Sequence, residues 1–120
     1  MAYLILVVED VEEIRDGIIK LLKADGYRVA AAREPEEVLL RIGQELPDLM
    51  LVGLGMPINV VIQTLKALRT QAGLDPERPV VIFDFEALEE GQELAIEGNI
   101  YKTRPDNFNQ LRALIRRLLN

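Results

Sequence analysis

Residues 47–57, PDLMLVGLGMP, constrain the fold more than any other stretch of the chain. Pro47 interrupts what precedes it, Leu49 to Leu54 carries no charge, and Gly55-Met56-Pro57 breaks the chain again. A strand that is apolar on successive residues is covered on both faces, as in a parallel sheet between two layers of helices. In such sheets the functional groups gather beyond the carboxyl ends of the strands. Here that end reads Gly53-Leu54-Gly55, with no side chain capable of chemistry. Whatever the domain does must come from the neighbours of this blank.

The rest of the sequence supplies those neighbours. Tyr3 to Val8 is a β-rich apolar run that ends at Glu9-Asp10. Val11, Ile14, Ile18, Leu21 and Leu22 follow at helical spacing, with Asp10 placed as N-cap and Gly26 as the stop. Tyr27 to Ala32 reads as a second strand, nearer a sheet edge. Glu34-Pro35-Glu36 opens a helix whose apolar face is expected to be Val38, Leu39, Ile42 and Leu46. A third helix, from about Val60 to Gln71, is expected to bury Val61, Leu65 and Leu68 and to show Gln63, Lys66 and Arg69 to water. Breakers at Gly73 to Pro79 then lead into the strand Val80 to Phe83, which Asp84 ends. Glu86 to Glu97 is expected to form an acidic helix weakened by Gly91 and stopped by Gly98. Asn99-Ile100-Tyr101 makes a short fifth strand, Lys102 to Pro105 a loop, and Phe108, Leu111, Ile115 and Leu118 the apolar stripe of a last helix, with Arg112, Arg116 and Arg117 outside.

Five strands alternating with five helices predict a flavodoxin-like α/β doubly wound parallel sheet of order 2-1-3-4-5, a single domain over residues 1–120. The switch point of that order gathers Glu9, Asp10, Gly53, Asp84 and the loop after Tyr101. Composition narrows what such a site can do. With no histidine and no cysteine, the commonest general base, thiolate metal sites and disulfides are all absent. A net charge of −6 argues against nucleic acid. No apolar run approaches a membrane span, and Met1-Ala2-Tyr3 leads straight into a strand, so a cytoplasmic location without a membrane partner is expected. Glu9 to Glu13 would repel a phosphate where a nucleotide or flavin site needs open backbone donors. Read from spacing, Asp10 caps a helix and Glu9 is solvated; the alternative is an acidic rim for a hard cation such as magnesium.

The anchors LILVVEDVEEIRDGI, PDLMLVGLGMP, RPVVIF and Tyr101 to Pro105 stand in the order and register of one family. Over its full length the chain resembles a response-regulator receiver domain of two-component signalling, in a divergent, pseudo-receiver form. The resemblance implies that an aspartate ending the third strand would accept phosphate, that an acidic pair would hold magnesium, and that a Ser/Thr and a Lys would bind the phosphoryl group. Carried onto this sequence, the acidic pair is Glu9 and Asp10, the acceptor position is Gly53, the hydroxyl position Asp84 and the lysine position Arg104. The family's Asp-Gly after the Met-Pro is Val60-Val61.

These replacements set the functional expectations. Gly53 cannot form an acyl phosphate, and Asp84 would repel a phosphoryl group. The expected role is that of a non-enzymatic, phosphorylation-independent protein–protein interaction module in signal transduction. Its partner would be a histidine kinase, regulator or output protein. A homodimer through the fourth helix (86–97), fifth strand and last helix is the self-association alternative, with Tyr101 as either a switch aromatic or a packed edge residue. Asp84 and Arg104 are expected to pair across the rim or to stand as separate solvated charges. No cofactor is expected, because two carboxylates without a third make a poor magnesium site. The reading from another class keeps a phosphate-accepting or catalytic domain and displaces its chemistry to Asp84.

Overall fold

Among the described residues, backbone hydrogen bonding joins six strands into one sheet. The structure is a computed structural model and describes residues 2–53, 58–72, 77–83, 93–97, 100–103 and 108–119. The elements are β1 (Leu4–Glu9), α1 (Glu12–Ala24), β2 (Arg28–Ala32), α2 (Pro35–Gln44), β3 (Leu49–Gly53), α3 (Ile58–Ala72), β4 (Val80–Phe83), β5 (Glu93–Glu97), β6 (Ile100–Thr103) and α4 (Phe108–Leu119). The sheet runs β2-β1-β3-β4-β6-β5, and its first five members are parallel. The parallel order is the one expected, with β6 as the fifth parallel strand.

All five residues of β3 are buried. Alternate residues feed two cores: Met50 and Val52 meet Val38, Ile42, Val61 and Leu65 of α2 and α3 on one face. Leu49 and Leu51 meet Ile18 and Leu22 of α1 and Leu111, Leu114 and Ile115 of α4 on the other. This two-sided burial is what an uninterrupted apolar strand requires.

The helix ends follow local chemistry. Gly26, at φ 92, takes the left-handed position after α1. There its N–H donates to the Lys23 carbonyl while the Tyr27 N–H donates to the Leu22 carbonyl, closing the helix with two bonds. Pro35 occupies the first turn of α2 after an extended Glu34. Leu39 and Leu46, expected in the core, are exposed at 39% and 43%. Val38 and Ile42 already define the buried stripe of α2, and the chain leaves the helix at Glu45 in extended conformation, so helical spacing no longer applies at Leu46. Val11 is likewise exposed, because it stands at the N-cap of α1 and not within it.

The region read as the acidic helix 86–97 differs from expectation. Residues 86–92 lie outside the described residues, whereas 93–97 form β5, antiparallel to β6. Glu-Leu-Ala-Ile-Glu alternates with period two, and Gly98-Asn99 is a dipeptide favoured between hairpin strands. The open edge of β6 offers this segment a hydrogen-bond ladder that a short, glycine-weakened helix could not match. A register shift between Ala95 and Glu97 marks an irregularity in the pair. Lys102 and Thr103, expected in a loop, extend β6.

Arg112, expected to point to water, instead forms a two-armed ion pair with Asp25, its Nε donating at 2.7 Å to Oδ2 and its Nη2 to Oδ1. This clasp ties α4 to the end of α1. The Arg112 guanidinium holds the Asp25 carboxyl below its usual range. A carboxylate lowered in the folded state stabilises above its unfolded pKa, and that contribution disappears as pH falls through the folded value. Arg112→Ala is therefore expected to lower the urea midpoint at pH 7 modestly, and to lower it less at a pH where Asp25 is protonated. An equal effect at both would assign the loss to packing alone.

Candidate functional site

The carboxyl ends of β1, β3 and β4 bring three residues into one row. Glu9 stands opposite Gly53 in the β1–β3 ladder. Val52 stands opposite Ile82 in the β3–β4 ladder, so Phe83 is the next residue along on the far side of Gly53. All three belong to the strand positions whose side chains face α1 and α4. Side-chain alternation dictates this: Ile5, Val7 and Glu9 share one face, as do Leu49, Leu51 and Gly53, and Val81 and Phe83.

Gly53 is needed for this arrangement because of space, not backbone conformation. A Cβ built there would overlap Cζ and Cε2 of the Phe83 ring and Oε2 of Glu9. The ring and the carboxylate converge on the point a side chain would occupy, so they touch across the glycine. Phe83 is 4% exposed and Glu9 3%.

Glu9 is thus buried, contrary to the solvated reading. Its Oε1 accepts the Val11 N–H at 3.1 Å, and its backbone carbonyl accepts a bond from Nη1 of Arg15 at 3.0 Å. These two bonds shape the turn from β1 into α1. The cap of α1 is Val11, which makes no side-chain cap bond, so Asp10 does not play the capping role expected of it and stays exposed. Burial pushes the Glu9 carboxyl up to about 7 from an ordinary 4.5; the Val11 N–H opposes the shift and the neighbouring Asp10 adds to it.

The described residues do not fit a magnesium ion. Among them, no group of three or more carboxylate, histidine or cysteine side chains could hold a metal. One oxygen of Glu9 is committed to the backbone, the other faces the ring, and the group is partly protonated near neutrality. A hard cation needs accessible, ionised oxygens.

Tyr101 is half-buried and packs against the core beneath α4. Val60, one of the pair where the family pattern has Asp-Gly, is 39% exposed, and Val61 is buried. Asp84 and Arg104, and with them their expected pairing, lie outside the described residues. The row therefore unites Glu9 and Gly53 but adds Phe83, which an unbroken apolar strand disguised as ordinary core. The available signal was register: a glycine and a large aromatic ending adjacent strands at the same level.

The described helices include none long and apolar enough to cross a membrane. Residues 5–116 match the family model of the response regulator receiver domain. The transcriptional regulatory protein CpxR of Escherichia coli K12 is 32% identical over 117 residues, 96% of this chain and 48% of that protein. The KDP operon transcriptional regulatory protein KdpE of the same organism is 28% identical over 114 residues, covering 93% of this chain and 49% of that one. The chain spans about half the length of the curated relatives it matches. Among solved structures, the Vibrio cholerae chemotaxis protein CheY4 superposes with a TM-score of 0.77 at 21% identity, covering 99% of this chain and 100% of that one. The N-terminal domain of a response regulator receiver protein from Methanoculleus marisnigri gives 0.68 at 28% identity, with 99% and 98% covered. On the match over residues 5–116, the chain belongs to the response regulator receiver domain family.

Proposed function

We propose that this receiver domain acts in signal transduction as a phosphorylation-independent interaction module, a pseudo-receiver whose acceptor position is Gly53. One observation carries the reading: β3 ends without an oxygen nucleophile, and the volume where one would stand is filled by Phe83 and Glu9. A carboxylate must be present and reachable to attack a phosphodonor, and here neither condition holds at this position. The described strands keep the parallel order of the fold, so the capacity left to the domain is presentation of a surface to a kinase, a regulator or an output protein.

The side of the sheet ending in β6 and β5 is the surface we assign to that partner. Among the described residues β5 is one of the two outer strands, with β2 at the opposite edge, and an outer strand presents unpaired backbone groups. Incubation with acetyl phosphate and magnesium, followed by intact-mass analysis, tests the reading. The mass is expected to stay unchanged. A gain of one phosphate that disappears in Asp84→Asn would overturn it in favour of displaced phosphate chemistry.

A further inference from the structure

We propose that Phe83 is a plug matched to Gly53, and that its ring closes the rim over the Glu9 carboxyl to solvent. The inference rests on reading Gly53 as an emptied acceptor position. It goes further in naming the residue that keeps the pocket shut.

The geometry has three parts. The ring reaches across from β4 into volume that belongs to β3, which only a residue without a Cβ leaves open. It is almost fully buried at the outermost position of its strand, where a side chain would ordinarily meet water. Its Cζ and Cε2 converge on the same point as Oε2, the one oxygen of Glu9 that the backbone does not use, since Oε1 is taken by the Val11 N–H. Removing the carboxylate from β3 would by itself have left a hydrated notch beside Glu9. The notch is instead occupied by the buried Phe83 ring. A large residue on one strand and the smallest on its neighbour make a complementary pair.

Two measurements test this on the intact chain. In the first, Gly53→Ala is made in the parent and in Phe83→Ala, with Phe83→Leu as a second background should the alanine variant fold poorly. The added methyl is expected to lower the urea midpoint of the parent clearly. Less than half of that drop should remain once the ring is removed, the remainder reflecting Glu9, whose flexible end can yield. Half or more of the drop persisting would overturn the plug. In the second, a neutral soluble paramagnetic probe is titrated into 15N-labelled protein and broadening is read at the amides of Glu9, Val11 and Gly53. The parent is expected to show none beyond that of remote residues, and the Phe83 variants to show site-specific broadening. Broadening in the parent, or none in either, would overturn the proposal. Neither readout involves phosphate, so phosphorylation of the chain would defeat the functional reading while leaving the plug to be decided on its own data.

Discussion

Gly53→Asp is expected to unfold the domain more readily rather than to restore a phosphate acceptor. The new side chain would enter space already held by the Phe83 ring and Glu9. Overpacking of a filled interior costs about 1–3 kcal/mol. A polar group buried there without a partner adds a similar amount, about 1–3 kcal/mol, and a carboxylate set against Glu9 adds repulsion. The sum, of order 4 kcal/mol, is a large part of the about 5–15 kcal/mol that holds a domain of this size together. Urea denaturation at pH 7 should show a much lower midpoint with no gain of phosphate from acetyl phosphate. An unchanged midpoint would mean that the ring swings aside at little cost, and the slot would then be open in all but name.

The second large effect concerns pH. The carboxyl of Glu9 is raised to about 7 in the folded protein from 4.5. Between those values the folded chain holds more protons than the unfolded one, so stability falls as pH rises. The contribution is fully present below about pH 4.5 and is lost as pH passes through 7. At pH 8 the buried charge costs up to about 3 kcal/mol. Glu9→Gln keeps an oxygen for the Val11 N–H while removing the charge. It should match the parent near pH 4.5, exceed it by a similar amount at pH 8, and flatten the stability profile between. Parallel profiles for the two proteins would show that Glu9 titrates as an ordinary surface carboxylate.

Both effects arise from a row that was only half legible in the amino-acid sequence. The scaffold was readable because its signals are local and redundant. The uncharged run Leu49 to Leu54 specifies burial on two faces, Pro35 a helix start, and Gly26 a left-handed stop. Alternation of strands and helices then leaves few topologies. The residues that failed expectation did so where a distant partner decided the outcome. Glu9 reads as solvated because acidic residues beside it form a charged run, yet its face is set by the alternation begun at Ile5. Arg112 reads as a surface charge because nothing near it in sequence hints at Asp25. Residues 93–97 satisfy a weak helical and a short strand pattern equally, and the free edge of β6 selected the strand. Phe83 was correctly placed in a buried strand, but its function depends on the size of a residue thirty positions earlier.

The arrangement of the layers also bears on how the chain is made. The face of β3 carrying Leu49 and Leu51 is covered jointly by α1 and α4, and Asp25 and Arg112 close that cover across 87 positions of sequence. During synthesis the first three strands emerge long before α4, with that apolar face half open. Synthesis at about 5–20 residues per second would leave it so for several seconds. A stall in synthesis between β3 and α4 would therefore leave this apolar face uncovered for longer than a stall elsewhere.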